Sequence, residues 1–288
     1  MPAKCLLALL TGFALAHGSV QAAPAMWKVS DGDSAVWLFG SVHMLPPDAN
    51  WRTPYFDKVM AKADRIYFET DISPESQMAI TARTFELGFN KDGRLLSEVI
   101  GPDLTERLRD AASDYGQPMA MLLTMRPWMA ATTLSLGAIT EMNYDPMLGV
   151  ETVVSGELTG DRRGYLETVD QQLDFLAGGG DAEQIAMLEA TLDTLGEMES
   201  DLNAMVASWL AGEPEDLGEI FLTQTGGYDQ ATLERLIDTR NHDWVGQIET
   251  MLANNENNLL IVGAAHLAGE VSVVRLLEDA GYTSERVQ

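Results

Sequence analysis

The stretch "VWLFGSVHML", Val36 to Leu45, has a near twin in "LLIVGAAHLA", Leu259 to Ala268. Each holds four apolar residues, a glycine, two small or apolar residues and a histidine; the two histidines, His43 and His266, stand 223 positions apart. Four apolar residues before a glycine read as a buried strand. In open α/β sheets ligands collect outside the carboxyl ends of the strands, and a glycine there permits a tight turn or a close backbone approach. If the two strands lie parallel in one sheet, His43 and His266 meet in one crevice.

The flanking sequence supports such a sheet. "TPYFDKVMAKA" reads as an amphipathic helix and "RIYFET" as a second strand, followed by Ser73-Pro74-Glu75 as N-cap, first-turn proline and first-turn acid of a helix. Downstream, "NHDWVGQIETMLANN", "NLLIVGAA" and "EVSVVRLLEDAG" give helix, strand and helix, the last closed by Gly281. This alternation predicts an α/β fold with a central mixed or mostly parallel sheet.

Between these ends, residues from about 73 to 210 form a helical, methionine-rich insertion, broken at "YGQP" and "MRPW". "GYLETVDQQLDFLAGGG" reads as a short extended piece, a helix and a glycine stop. Asp181 with Gln184 makes a capping-box-like start to one long helix of about 28 residues, with Ile185, Leu188, Leu192, Leu195, Leu202, Met205 and Trp209 at helical spacing. A methionine-lined layer reads first as core, although methionine also suits adaptable apolar clefts. Trp128 reads as a core aromatic anchor. No low-complexity linker interrupts residues 23–288, which read as one domain.

Residues 1–22 read as a secretory signal: Lys4, an uncharged apolar run from Cys5 to Ala16, and a small-residue exit at Val20-Gln21-Ala22. The run is too short to span a bilayer. Cleavage after Ala22 removes Cys5, leaving a chain without thiols or disulfides, which is expected to be periplasmic or secreted. It also removes Lys4 alone among the charged residues, so the formal charge of −26 becomes −27. Such a surface argues against nucleic acid as a partner and against stable association with anionic membranes.

Three histidines remain, and two of them end a G-x-x-H; the third, His242, reads as a surface or supporting residue. With no sulfur available, a metal site needs carboxylates. Glu69 closes the strand "RIYFETD" and should emerge at its carboxyl end, whereas Asp71 lies farther into the loop. Two imidazoles and a carboxylate with open positions suit Zn, Mn, Fe or Co. Glu69 also reads as a helix-terminal or salt-bridge carboxylate, and Arg240 with Asn241 as an ion pair and N-terminal cap of an amphipathic helix. No H-E-x-x-H, P-loop, G-x-S-x-G elbow or Rossmann glycine run is present.

"WLFGSVHMLPPDANWRTPYFDKVMAKADRIYFETDIS" resembles the N-terminal signature of the TraB/GumN family, related to PrgY and the animal Tiki proteins. "RPW" (126–128), "DPMLGVETVVSGE" (145–157), "YLETVDQQLDFL" (165–176), "TRNHDWVGQIETML" (239–252), "NNLLIVGAAHLAGE" (257–270) and "GYTSERVQ" (281–288) follow in the family's order. The resemblance implies a core similar to erythromycin esterase-like and ChaN-like proteins. From the Tiki members it implies a divalent metal (Mn, Co or Zn) held by His43, His266 and Glu69. It makes Arg240 and Asn241 candidates for gripping a substrate carbonyl or oxyanion. Glu151 and Glu167 fall on family motif positions and are candidate supporting or general-base carboxylates. The expected activity is a metal-dependent, peptidase-like hydrolase acting on a peptide or protein. The alternative is a non-catalytic binding or inhibitory module that captures a peptide, a metal or haem.

Overall fold

The computed structural model of the chain describes residues 22–224 and 230–288, so the segment read as a signal lies, apart from Ala22, outside the described residues. Its strands are β1 (Met26–Ser30), β2 (Ala35–Ser41), β3 (Arg65–Phe68), β4 (Arg163–Tyr165), β5 (Asn257–Gly263) and β6 (Thr283–Arg286). They form one sheet in the order β4-β3-β5-β2-β1-β6. β2, β5, β3 and β4 are parallel to one another, while β1 runs against both β2 and β6. The fold is thus α/β with a mixed sheet.

The twin stretches are neighbours. β2 and β5 pair in parallel from Ala35↔Asn257 to Ser41↔Gly263, with Gly40 opposite Val262. Their side chains alternate between two apolar clusters, as the period of a strand requires. Phe39, Leu259 and Ile261 join Trp51, Phe56 and Trp209 on one face. Leu38, Leu260 and Val262 join Trp244, Ile248 and Leu277 on the other. Because both faces are covered, the strands read as continuous apolar runs.

The helices before β4 are α1 (Pro54–Lys62), α2 (Gln77–Gly88), α3 (Leu96–Asp114), α4 (Met119–Leu122), α5 (Pro127–Glu141) and α6 (Val150–Glu157). After β4 come α7 (Val169–Ala177), α8 (Asp181–Thr194), α9 (Met198–Ala211), α10 (Pro214–Gln224), α11 (Gln230–Leu233), α12 (Thr239–Ala253) and α13 (Val273–Asp279). A π-helical turn, Glu234–Asp238, joins α11 to α12. Thr53 caps α1 by accepting from Phe56 N, with Pro54 in the first turn, where its missing N–H costs nothing. α3, α5 and α8 enclose a third apolar cluster around Leu96, Leu108, Leu134 and Leu188, to which Met119, Met125, Met129, Met187 and Met198 contribute. Trp128 is 1% exposed, as a core anchor should be. Among the described residues, no helix is long and apolar enough to cross a membrane.

Several local expectations are corrected. The long helix from Asp181 is two helices, broken by a turn at Leu195–Glu197, where Gly196 is a poor helix former. Gly180, not Asp181, is the N-cap of α8, and Gln184 Nε2 instead donates to Ala177 O at 2.8 Å. Ser73 does not cap α2, which begins at Gln77 after Ser76; Asp71 accepts from Ser73 N and Ser76 Oγ and so stabilises a preceding turn. Within the helical stretch 73–210, β4 forms beside the short extended piece read before α7, and it extends the sheet. Arg240 and Asn241 do not cap a free helix start, because the chain enters α12 already helical from the π turn.

Phe39 holds β2 against the helices, with ring centroids 4.8 Å from Phe56, 5.8 Å from Trp51 and 6.4 Å from Trp209. Phe39→Ala is expected to lower the unfolding free energy by about 3–5 kcal/mol, measured by denaturant titration; a loss below about 1 kcal/mol would show that this aromatic cluster does not anchor β2.

Candidate active site

All four mutually parallel strands deliver a candidate residue at their carboxyl ends. His43 lies two residues past β2, Glu69 directly after β3, Glu167 two residues past β4, and His266 in a short 3-10 turn, Ala264–Leu267, after β5. α12 precedes β5 and returns across the sheet, so its first turn, with Arg240 and Asn241, lies over the same ends. Glu151 comes from the first turn of α6. The loop after β2 is strapped to that helix: Val150 N donates to Val42 O at 3.2 Å, and Leu45 and Asp145 exchange backbone bonds. Gly149 makes the strap possible, since a Cβ there would stand 2.0 Å from His43 O.

The seven residues named from the sequence come together. Gly263 lies at their centre: a Cβ built on it would be 3.1 Å from Glu69 Oε1, 3.5 Å from His43 Nε2 and 3.6 Å from His266 Cδ2. Gly263 N also donates to Glu69 Oε1 at 2.7 Å. The glycine therefore leaves a cradle open among two imidazoles and a carboxylate.

Each imidazole is oriented through Nδ1. His43 Nδ1 lies 2.8 Å from Glu151 Oε1, an oxygen that also accepts from Ser41 Oγ. His266 Nδ1 lies 2.6 Å from Asn241 Oδ1. The tautomer of His266 follows from its partners. Asn241 Nδ2 donates to Val271 O at 2.7 Å, which leaves Oδ1 as the acceptor facing the ring. Arg240 Nη1, 3.1 Å from His266 Nε2, can only donate. Nδ1 therefore carries the proton and Nε2 presents a lone pair.

Arg240 is surrounded. Nε donates to Glu167 Oε1 (2.7 Å), Nη2 to Glu167 Oε2 (3.0 Å) and Glu69 Oε2 (2.5 Å), and Nη1 to Leu236 O (3.1 Å) and His266 Nε2 (3.1 Å). These contacts use all five N–H groups of the guanidinium. Its Cζ stands 5.2 Å from the Phe175 ring centroid and 5.0 Å from that of Trp244, within cation–π range. Glu167 is filled as well, accepting from Trp244 Nε1 at 2.9 Å. Gln172 Nε2 donates to Glu69 Oε2 at 3.1 Å.

The surroundings drive the two histidines apart. The Glu151 carboxylate raises the pKa of His43, outweighing the opposing loss of hydration, although 62% of this side chain is exposed. Burial lowers that of His266 to about 3, against the pull of Glu69 and with the help of Arg240, so His266 is neutral throughout the physiological range. Burial would raise Glu69, but His266, Arg240, His43 and the Gly263 N–H outweigh it and hold the carboxyl at about 2. Burial raises Glu167 despite Arg240.

The donor set suits a divalent cation once His43 gives up the proton that Glu151 favours: two imidazole nitrogens, one carboxylate oxygen and a hydrogen-bonded partner behind each imidazole. Among the described residues, no three His, Cys, Asp or Glu side chains already stand at ligating distance, and Arg240 Nη1 faces the lone pair of His266. A cation would have to displace that N–H, which keeps Leu236 O as a partner for the same nitrogen.

His242 is exposed and Asp71 remains in its own turn, so neither joins the cluster. Ser41, Gly149, Gln172, Phe175 and Trp244 belong to it and were not singled out from the sequence. Trp244 had a signal, since it follows Arg240 by four positions and so shares its helix face. Gly149 had none, because its role is the close passage of a backbone distant in sequence.

Fold and site together define an α/β protein with a histidine- and carboxylate-lined crevice at the carboxyl ends of a mixed sheet. The chain belongs to the TraB/PrgY/gumN family, whose description covers residues 25–286. It is 22% identical over 271 residues to an uncharacterized protein of Treponema pallidum (strain Nichols), covering 87% of this chain and 79% of the relative. It is also 22% identical over 269 residues to the uncharacterized protein YbaP of Escherichia coli (strain K12), covering 93% and 97% of the two chains. YbaP of Shigella flexneri matches to the same extent. No solved structure matches the chain.

Removing Arg240 leaves Glu69 and Glu167 buried without their cation. Arg240→Ala is expected to cost about 3–5 kcal/mol in denaturant unfolding, and Arg240→Lys to recover only part of it, because an ammonium cannot grip Glu167 in two-pronged fashion. Full stability in Arg240→Lys would contradict the bonding described. Gly149→Ala should displace His43, read as altered ring resonances of that histidine by NMR; unchanged resonances would show that the close passage is easily relieved.

Proposed function

We propose that the crevice holds a divalent cation, Mn, Co or Zn, through His43, His266 and Glu69, and hydrolyses an amide or ester bond in a peptide or protein outside the cytoplasm. The observation that carries this reading is the matched presentation of the imidazoles. Each is held through Nδ1, by Glu151 or by Asn241, and both rings border the Gly263 cradle beside Glu69 Oε1. Such outer partners fix ring orientation and raise ligand basicity. A cation bound there would lower the pKa of a coordinated water and polarise a carbonyl.

The chain's own groups divide the remaining work. Glu151 borders the larger hollow of the crevice, and its contacts with Ser41 Oγ and His43 Nδ1 both fall on Oε1. It is the carboxylate placed to move a proton. Glu167 has both oxygens engaged, so it serves as the clamp on Arg240. Arg240 and Asn241, named from the sequence as grips for an oxyanion, have their donors engaged within the protein and act by positioning Glu69 and His266. The leader-like residues 1–22 support export to the periplasm or beyond.

One contact favours a second reading. Arg240 Nη1 donates into the lone pair that a cation would take from His266. In a non-catalytic binding or inhibitory module, capturing a peptide, a metal or haem, that bond would persist unless His266 itself ligates the metal, and the histidines would otherwise brace the crevice.

Metal content and turnover together separate the readings. The protein purified without chelator and titrated with Mn, Co or Zn is expected to bind one equivalent, and His43→Ala/His266→Ala none. Hydrolysis of a mixed peptide library should stop on chelation and return with the metal. Gly263→Ala, whose methyl would fill the cradle, should weaken binding at least about tenfold while the thermal midpoint stays near that of the parent. Hydrolysis that persists in the double variant would sink the proposal, and metal binding without turnover would favour the binding module.

A further inference from the structure

Two hollows meet at the cluster. The larger, about 780 Å³, is bordered by Thr70, Glu75, Met147, Thr152 and Arg163. The smaller, about 440 Å³, extends beneath the helices, walled by Leu176, Met205, Leu217, Leu236 and Ile237, with Ala264 to His266 at its floor. His43, Glu69 and Gln172 line both. A chain lying across the two must pass the three groups where they join.

The walls of the smaller hollow come from α7, α9, α10 and the π turn. Leu176, Met205, Leu236 and Ile237 are apolar yet only partly buried, so this is an apolar surface left open within the fold. π turns are rare and occur often at functional sites. This one, immediately before Arg240, contributes both Leu236 and Ile237 to the wall. Among the described residues the only Lys or Arg lining the hollow is Arg240, whose five N–H groups are all engaged, and His43, the other group able to carry positive charge, lies at the junction with the larger hollow and is already paired with Glu151. The volume lies within the range of small-ligand pockets.

We propose that the smaller hollow is a specificity pocket that receives a bulky apolar side chain next to the bond to be cleaved, so that the substrates are polypeptides carrying residues such as leucine or phenylalanine at that position. This deepens the hydrolase reading and rests on it for the cleavage, though not for the binding. Ile237 is the specificity-determining residue most open to alteration, since it touches none of the charged groups of the cluster in any hydrogen bond or ion pair.

The test uses internally quenched peptides, with Mn present, that differ at one position: alanine, leucine, phenylalanine or aspartate. The leucine and phenylalanine peptides are expected to exceed the alanine peptide at least about tenfold in kcat/KM, and the aspartate peptide to fall below it. Ile237→Trp, which fills the hollow, should lower the phenylalanine-to-alanine ratio about tenfold or more, and Ile237→Ala should shift preference toward larger side chains, which a merely misfolded variant would not do. Binding of N-acetyl-L-phenylalaninamide and N-acetyl-L-alaninamide, followed by NMR titration, reads the pocket without turnover. If no peptide is cleaved but the phenylalanine amide binds preferentially and Ile237→Trp abolishes this, the pocket stands and the hydrolase reading falls. Equal rates across the peptides, a ratio unmoved by Ile237→Trp, or equal binding of the two amides would overturn the pocket.

Discussion

The guanidinium of Arg240 is the constraint on which the site depends. It is 7% exposed and lies between the carboxylates of Glu69 and Glu167, which without it would repel one another across a space that water hardly reaches. Desolvating three charged groups is costly, and their attraction offsets that cost only where the remaining hydrogen bonds are made. Here they are, through Trp244, Gln172, Gly263 and the Leu236 carbonyl. Because Glu69 follows β3, Glu167 follows β4 and Arg240 begins α12, one bonded group ties two strand ends and a helix together. The position of the histidine after β5 is fixed in the same network.

Two copies of one motif have opposite electrostatic fates. His43 ends the first G-x-x-H beside a carboxylate and open to solvent, an environment that favours its protonated form. His266 ends the second against an amide, a guanidinium and the Trp244 ring at 4.4 Å, an environment that keeps it neutral. The difference comes from what packs on each loop. β5 and β2 are both central, but the loop after β5 is covered by α12, whereas the loop after β2 is held from one side by the start of α6. A repeated motif thus specifies the placement of a ring, and the neighbours decide its charge.

The strands β2, β3 and β5 and the convergence of His43, Glu69 and His266 were legible in the sequence because apolar runs, glycines and strand ends are local signals, whereas the antiparallel edge strands β1 and β6 were not read. Parallel pairing of β2 and β5 then needed only the rule that such runs are buried on both faces. What was not legible depends on contacts between distant segments. The break at Gly196 interrupts an unbroken helical spacing of leucines, and periodicity alone does not reveal where a helix yields to packing. The pairing of Arg240 with two carboxylates was hidden because an Arg-Asn pair in a helix reads equally as ion pair, cap or substrate grip; only the count of engaged N–H groups separates these.

The site divides into a part that resists single changes and a part that admits them. The buried groups around Arg240 share partners: Glu69 with Glu167 through Arg240, and Arg240 with Asn241 through His266. A substitution at any one leaves a buried group unsatisfied, and the effects of neighbours so linked do not add. The walls of the smaller hollow are built differently, from carbon side chains that themselves make no hydrogen bond to those charges. Leu176 or Ile237 can change in size without stranding a buried charge. A fold so arranged separates the bonded cluster at the sheet ends from the shape of the hollow beside it, which the helices set.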